Sequence, residues 1–282
     1  MRVRLDWFGE RLTDRITAIA AGQLAPAVPR DAATVMLLSQ APGEPGGEVE
    51  VLMLRRPASM AFAPGAYVFP GGSVDAADAD PRIGWAGPDP EELGDWLGAS
   101  PDRARALVCA AVRETFEESG VLLASGPDGS PAGPDEASLA ADRAVLAAGR
   151  VTFAEILSRR DLVIRADLLT PWSRWITPEA EHRRFDTFFF AAALPPGQHA
   201  AGEHAEADRI TWLRPAAALG AAKAGEILLL PPTATTLHDF AACADLAQIL
   251  ASRRAIVPIE PRLSVEDGQA WLLIPGETGY PL

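Results

Sequence analysis

The stretch VRETFEESG, Val112–Gly120, decides how the rest of the chain is read. It places Arg113, Glu114, Glu117 and Glu118 close together and then stops at a glycine. Just upstream, Ser100-Pro101-Asp102 has the marks of a helix start: a capping hydroxyl, a proline suited to the first helical position and an acid at the positive end of the dipole. The reading is therefore a helix from about Ser100 to Ser119, with Gly120 as its stop. At about 100° per residue, Glu114, Glu117 and Glu118 fall within an arc of roughly 100°. Like charges at this spacing repel by a few tenths of a kcal/mol per pair, and the last turn is the negative end of the helix dipole. The crowding is locally unfavourable unless something cationic offsets it. A solvated acidic face is one explanation. A site for a divalent cation is the other, since hard cations such as Mg²⁺ take carboxylate oxygens and keep waters.

Composition narrows the function classes. The chain has 282 residues, of which 48% are hydrophobic, and carries a net charge of −13. Such an acidic chain lacks the basic footprint that a nucleic-acid backbone requires. No apolar run is long enough to cross a bilayer, and the charged N-terminus, MRVRLDWFGERLTDR, does not read as a signal peptide. A cytoplasmic protein without a membrane partner is expected. Cys109 and Cys243 lie in Ala-rich surroundings without zinc-site spacing and read as buried, reduced thiols. His182, His199, His204 and His238 show no ligand spacing either.

Periodicity and turn residues give the remaining elements. Residues 6–22 read as an amphipathic helix. Strands at 33–40 and 48–56 flank the turn APGEPGG (41–47) and form a hairpin. A short strand at 66–69 runs into a Pro-Gly-Gly turn. Residues 73–100, rich in Asp, Pro and Gly, read as an inserted loop with one helical turn in EELGDWLG. A strand begins at VLLASG, and helices follow at 136–148 and 151–158. LVIRADLL reads as strand and PWSRWITP (171–178) as loop. FDTFFFAAAL (185–194) and ADRITWLRP (207–215) are strands. Residues 233–255 read as one long Ala-rich helix, and the tail as a terminal hairpin. Trp212 is expected in the core. Trp172 and Trp175 are open between core packing and stacking on a base.

At FPGG (69–72) followed by R-E-x-x-E-E-x-G, the chain resembles the Nudix box, the loop–helix signature of the Nudix hydrolases. The family pattern is Gly, five residues, Glu, seven residues, then Arg-Glu-(apolar)-x-Glu-Glu-x-Gly-(apolar). Arg113, Glu114, Glu117, Glu118, Gly120 and Val121 match its second half in order. Counted back from Arg113, the first glutamate falls on Arg105, a charge reversal, and an arginine cannot ligate a metal. Asp102, Glu91 and Glu92 are candidates to compensate. Thr115 takes a place that is usually aliphatic.

The resemblance implies an α/β/α sandwich with a mixed sheet. The N-terminal helix and linker (1–30), the insertion at 73–100 within a domain spanning 31–255, and a C-terminal tail (256–282) are additions to it. It implies a metal-dependent hydrolase that cleaves the diphosphate linkage of a nucleoside diphosphate joined to another moiety. Glu114, Glu117 and Glu118 would hold Mg²⁺ or Mn²⁺. Gly71 and Gly72 would let main chain approach metal or phosphate. Arg113 would orient the glutamates or bind phosphate. Arg55 or Arg56 would meet a substrate phosphate, and Glu206 would be the general base. Family members are often dimers, which brings a homodimer into consideration. Segments 60–72, 171–178, 183–192 and 227–237 resemble the branch that includes the peroxisomal coenzyme A diphosphatases of animals. The L-L-T and G-G-x-R elements of other Nudix coenzyme A hydrolases are not found. Rival readings are an ADP-ribose, NADH or nucleoside triphosphate diphosphatase, and a non-catalytic nucleotide sensor.

Overall fold

FDTFFFAAA is apolar without alternation, as a strand covered on both faces must be, and it lies inside the largest sheet. The computed structural model describes residues 2–4, 10–40, 48–60, 63–132, 136–200, 209–266 and 269–275. In chain order the elements begin with β1 (Arg2–Arg4), α1 (Glu10–Ala20), β2 (Arg30–Gln40), β3 (Val49–Arg55), β4 (Ala66–Val68) and β5 (Gly71–Ser73). A 3₁₀ turn (Ala76–Ala79), β6 (Gly84–Ala86), α2 (Pro90–Leu97) and α3 (Pro101–Ser119) follow. Next come β7 (Ala124–Ser125), α4 (Glu136–Ala147), α5 (Phe153–Arg159), β8 (Val163–Arg165), β9 (Thr170–Ile176) and β10 (Phe185–Ala193). The chain continues through β11 (Arg209–Leu213), α6 (Pro215–Lys223), β12 (Leu228–Leu229), α7 (Pro231–Ala241), α8 (Leu246–Leu250), β13 (Pro258–Ile259), β14 (Arg262–Glu266) and β15 (Gln269–Leu273).

The main sheet runs β12-β4-β3-β2-β10-β9-β13, with β11 also on β3 and β5 also on β2. β2 is parallel to β10 and antiparallel to β3, so the sheet is mixed. Alternate residues of β2 and β3 enter two separate apolar clusters. Val35, Leu37 and Leu52 pack with Leu107, Val108 and Val112 of α3. Met36, Leu38, Val51 and Met53 pack with Ala218 of α6, Leu237 and Phe240 of α7 and Ile249 of α8. The sheet is thus covered by helices on both faces, the expected α/β/α sandwich.

One edge of β2 serves two partners. Its residues 38–40 pair with β3, and its residues 32–34 pair with β5. The expected Pro-Gly-Gly turn is therefore the start of a strand, with Val35 N–H bonded to Pro70 O at 2.8 Å. This split brings Gly71 and Gly72 to the end of the box helix.

Three other expectations change. PWSRWITP is not a loop but most of β9, and Trp172 and Trp175 are buried in the core. A register shift between Phe189 and Phe190, opposite Ser173 and Pro171, accommodates a proline that would otherwise interrupt the ladder. Residues 233–255 are not one helix. The helix breaks after Ala241, and Asp245 caps α8 by accepting the Gln248 N–H at 2.8 Å. The insertion is not a plain loop, since it contains the 3₁₀ turn, β6 and α2. The 41–47 turn lies outside the described residues.

An ion network fixes the start of α3. Arg103 grips Asp31 of β2 at 2.6 and 3.0 Å and reaches Asp186 of β10 at 2.7 Å. Arg174 of β9 holds both oxygens of Asp186 at 2.7 and 2.8 Å. Burial raises the Asp186 pKa, but these bonds from Arg174 and Arg103 outweigh it and hold the carboxyl below the usual range. Its stabilisation is therefore present above the unfolded value of about 4 and is lost as pH falls through the lower folded value. Asp186→Asn, which breaks a buried pair, is expected to lower stability by about 3 kcal/mol at pH 7. Thermal unfolding at pH 7 and pH 3 checks this: the gap between wild type and variant should narrow at acid pH.

Candidate active site

The last two turns of α3 carry the site. Ser100 Oγ accepts the Arg103 N–H at 3.3 Å, Pro101 takes the first helical position, and Gly120 closes the helix at φ 76°. Only glycine enters that left-handed region without strain. Thr115, at the usually aliphatic place, is fully buried and donates its hydroxyl to Ala111 O at 2.7 Å.

Arg113 is the hub. It is 9% exposed, and all five of its N–H groups are used. Nε and Nη2 hold Asp78 Oδ1 and Oδ2 at 2.8 and 2.9 Å. Nη1 divides between Glu114 Oε1 at 2.8 Å and Glu117 Oε1 at 3.1 Å. Nη2 also reaches Ser73 O at 3.0 Å. Burial alone would lower its pKa, but these partners raise it further above its ordinary value.

Asp78 corrects the reading of the box. It lies in the 3₁₀ turn and is 1% exposed. It follows Gly72 after five residues, which is the family's Gly-to-Glu spacing with Asp in place of Glu. The extra residues are inserted after the first acid, so that 79–112 stand where the family has seven. Arg105 is not the box's first acid in disguise. It donates to Ile83 O at 2.5 Å and lies over the Trp85 ring at 5.2 Å, tying the insertion to α3. Glu91, Glu92 and Asp102 are exposed and take no part in these Arg113 bonds. Counting forward from Gly72, rather than back from Arg113, would have found Asp78.

The carboxylates are held in distinct ways. Gly71 N–H donates to Glu118 Oε2 at 2.8 Å, and Glu118 is 8% exposed. Glu114 is bonded instead to the Arg113 guanidinium, through Oε1. Burial pushes its carboxyl up to about 7 against the pull of Arg113. Arg143 of α4, which the sequence did not single out, donates to Glu117 O at 2.7 Å and Glu118 O at 2.8 Å. It thereby caps the negative end of the helix with a cation. Burial pushes the Arg143 pKa down, opposed by Glu118.

Residues Gly71, Gly72, Arg113, Glu114, Glu117 and Glu118 thus converge. Arg55 and Arg56 lie at the end of β3, where Arg55 pairs with Tyr67 and Arg209 and joins none of the bonds above. Glu206 lies outside the described residues, as does His204. The carboxylates suit a divalent cation by chemistry: they are hard oxygen donors, and Arg113 takes one oxygen each from Glu114 and Glu117. Among the described residues they do not close into a preformed cluster of three ligands.

Several known proteins resemble this chain. The family profile described as the NUDT19 Nudix domain matches residues 89–239. The acyl-coenzyme A diphosphatase NUDT19 of Gallus gallus is 33% identical over 305 aligned positions, covering 89% of this chain and 80% of that protein. The human protein of the same name is 32% identical, covering 84% of this chain and 73% of that protein. The crystal structure of a NUDIX hydrolase from Alicyclobacillus acidocaldarius superposes with a TM-score of 0.61 at 28% identity, covering 81% of this chain and 98% of that one.

The two glycines are constrained differently. A Cβ at Gly72 would meet the Glu114 carboxylate at 2.4 Å, whereas one at Gly71 would meet the backbone of Ala33 and Thr34 at 2.5 and 2.7 Å. Gly72→Ala is expected to reduce turnover at least about tenfold with little change in melting temperature, because a side chain can yield. Gly71→Ala must move strand backbone and is expected to lower melting temperature as well. Paired kinetics and thermal unfolding distinguish the two effects.

Proposed function

Because the chain belongs to the NUDT19 family of Nudix hydrolases, we propose that this diphosphohydrolase cleaves the diphosphate of coenzyme A or an acyl-coenzyme A. The names of the chicken and human relatives support that substrate class. The observation that carries the catalytic reading is the closed set of bonds from Arg113 to Asp78, Glu114 and Glu117. A chain that retained the box only as a binding scaffold would have no need to keep an acid at the place of the first glutamate and pair it with Arg113.

In this reading Glu114, Glu117 and Glu118 hold Mg²⁺ or Mn²⁺. Three carboxylates, counting Asp78, share the single guanidinium of Arg113, and Glu118 lies beside them on the Gly71 N–H, an acidic excess that a cation would offset. A bound divalent ion would neutralise phosphoryl oxygens and make water a better nucleophile. The residues themselves supply the orientation. Arg113 has no N–H left for phosphate, so it is a positioning residue. Gly71 N–H aims Glu118, and the glycine pair lets main chain lie against the carboxylates. Glu206 is retained as the candidate general base, by its place before β11.

Purified protein with Mg²⁺ or Mn²⁺ is expected to convert coenzyme A into 3′,5′-ADP and phosphopantetheine, resolved by mass. Faster turnover of ADP-ribose, NADH or a nucleoside triphosphate would reject the substrate class and keep the chemistry. Glu118→Gln should remove most turnover while the protein stays folded. Asp78→Asn, which removes the charge facing Arg113, should reduce activity about 10- to 100-fold. Full activity in either variant would sink the assignment of that residue.

A further inference from the structure

α4 turns an arginine toward its packed side. Leu139, Arg143 and Leu146 stand at helical spacing on one face, and both leucines are buried in the cluster that holds Val112 and Phe116 of α3. A charge on a packed face loses hydration and needs partners. Arg143 has two on the box helix: Nε donates to Glu117 O at 2.7 Å, and Nη2 to Glu118 O at 2.8 Å.

The helix itself leaves these two carbonyls open. In a continuing helix they would accept from the N–H groups of Val121 and Leu122, four residues on. Here the Val121 N–H bonds to Ser119 Oγ at 3.2 Å, and the Leu122 N–H to Gln198 Oε1 at 2.8 Å. The turn that carries Glu117 and Glu118 is thus closed by a side chain from another element. Helix ends fray where nothing closes them. Arg113 holds Glu117, and the Gly71 N–H holds Glu118, at their carboxylates. Arg143 holds both residues at the main chain.

The arginine is itself kept in place. Its neighbour Asp142 accepts from Arg160 Nε at 2.5 Å and from Arg159 Nη2 at 3.0 Å, both at the end of α5. Ser138, one turn earlier in α4, accepts from Arg160 Nη2. α5 packs on α3 in turn, with the Phe153 and Phe116 ring centroids 6.3 Å apart. α4 is therefore fixed to the box helix both directly and through α5.

We propose that Arg143 is a positioning residue for the cation site. By closing the last turn of α3 it fixes the main chain from which Glu117 and Glu118 reach the ion. This rests on the reading of those glutamates as cation ligands.

The test measures Mn²⁺ binding to the full chain by electron paramagnetic resonance, without substrate, together with amide hydrogen exchange and thermal unfolding. Arg143→Met keeps a long side chain between the two leucines and removes both bonds. It is expected to weaken Mn²⁺ binding about tenfold, the lower end of what outer partners of metal ligands contribute. Exchange at residues 117–120 should speed up, with the rest of α3 and the melting temperature little changed. Arg143→Lys keeps a cation that can reach a carbonyl and should recover most of the lost affinity. Asp142→Asn, which loosens α4 without touching α3, should shift Mn²⁺ binding the same way by a smaller factor, and it carries the test if Arg143→Met does not fold. Wild-type Mn²⁺ affinity in the folded variant, with or without a lower melting temperature, would overturn the proposal and leave Arg143 a structural residue. A wild-type chain that binds no Mn²⁺ would reject the cation reading itself, and the proposal with it.

Discussion

The site depends on the buried pairing of Arg113 with Asp78. A guanidinium taken from water loses several kcal/mol of solvation. At about 3 Å and an effective dielectric near 20, one opposite unit charge returns roughly 5 kcal/mol. A single partner therefore comes close to break-even. Arg113 has three carboxylate partners and a carbonyl, all within 3.1 Å, so attraction wins. The same bonds fix Glu114 and Glu117 on a helix face where their mutual repulsion would otherwise scatter them. The arginine is thus the reason that three glutamates can crowd one helix end.

The helix end has a second cost, which other elements offset. The terminal carbonyls of α3 and the glutamates beside them are all negative. Arg143 reaches those carbonyls from α4, and the Gly71 N–H reaches Glu118 from β5. Both contacts depend on the sheet. β5 lies on β2 only because β3 gives up the first half of that strand, and the backbone comes this close to Glu114 only because position 72 has no Cβ. The order of causes runs from strand pairing to main-chain placement to carboxylate geometry.

What could be read from the sequence was what is encoded locally. Ser100, Pro101 and Gly120 marked the ends of α3 because capping and left-handed closure involve neighbours in the chain. The glutamates, Arg113 and the glycines were visible by spacing, and the sandwich followed from the resemblance to the Nudix family. Asp78 was hidden because its partner is 35 residues away, across an insertion whose Asp, Pro and Gly content resembles loop. Arg143 was hidden for a similar reason: its target is backbone carbonyl, which has no sequence signature. β9 was read as loop because Pro171, Ser173 and Arg174 lower strand propensity. The structure accommodates them with a bulge at Pro171 and an ion pair from Arg174 to Asp186. The long Ala-rich segment concealed a break because alanine favours helix on either side of Asp245, and only the cap shows where the second helix starts.

The insertion is then part of the scaffold around the Arg113 network rather than an ornament upon it. It follows directly on Asp78 and is held down along its length. Arg105 grips Ile83 O and covers Trp85. Trp96 of α2 donates to Arg254 O at 2.8 Å and lies under the Arg253 guanidinium at 4.2 Å. The Arg254 guanidinium also covers the Trp172 ring at 4.4 Å, in the apolar cluster on the opposite sheet face. One short segment therefore joins α2 of the insertion to the core on the far side of the sheet. An insertion free to move would leave Arg113 buried against fewer charges, which the energies above show to be unfavourable. Its anchoring by Arg105 and Trp96 follows from the same constraint that places Asp78.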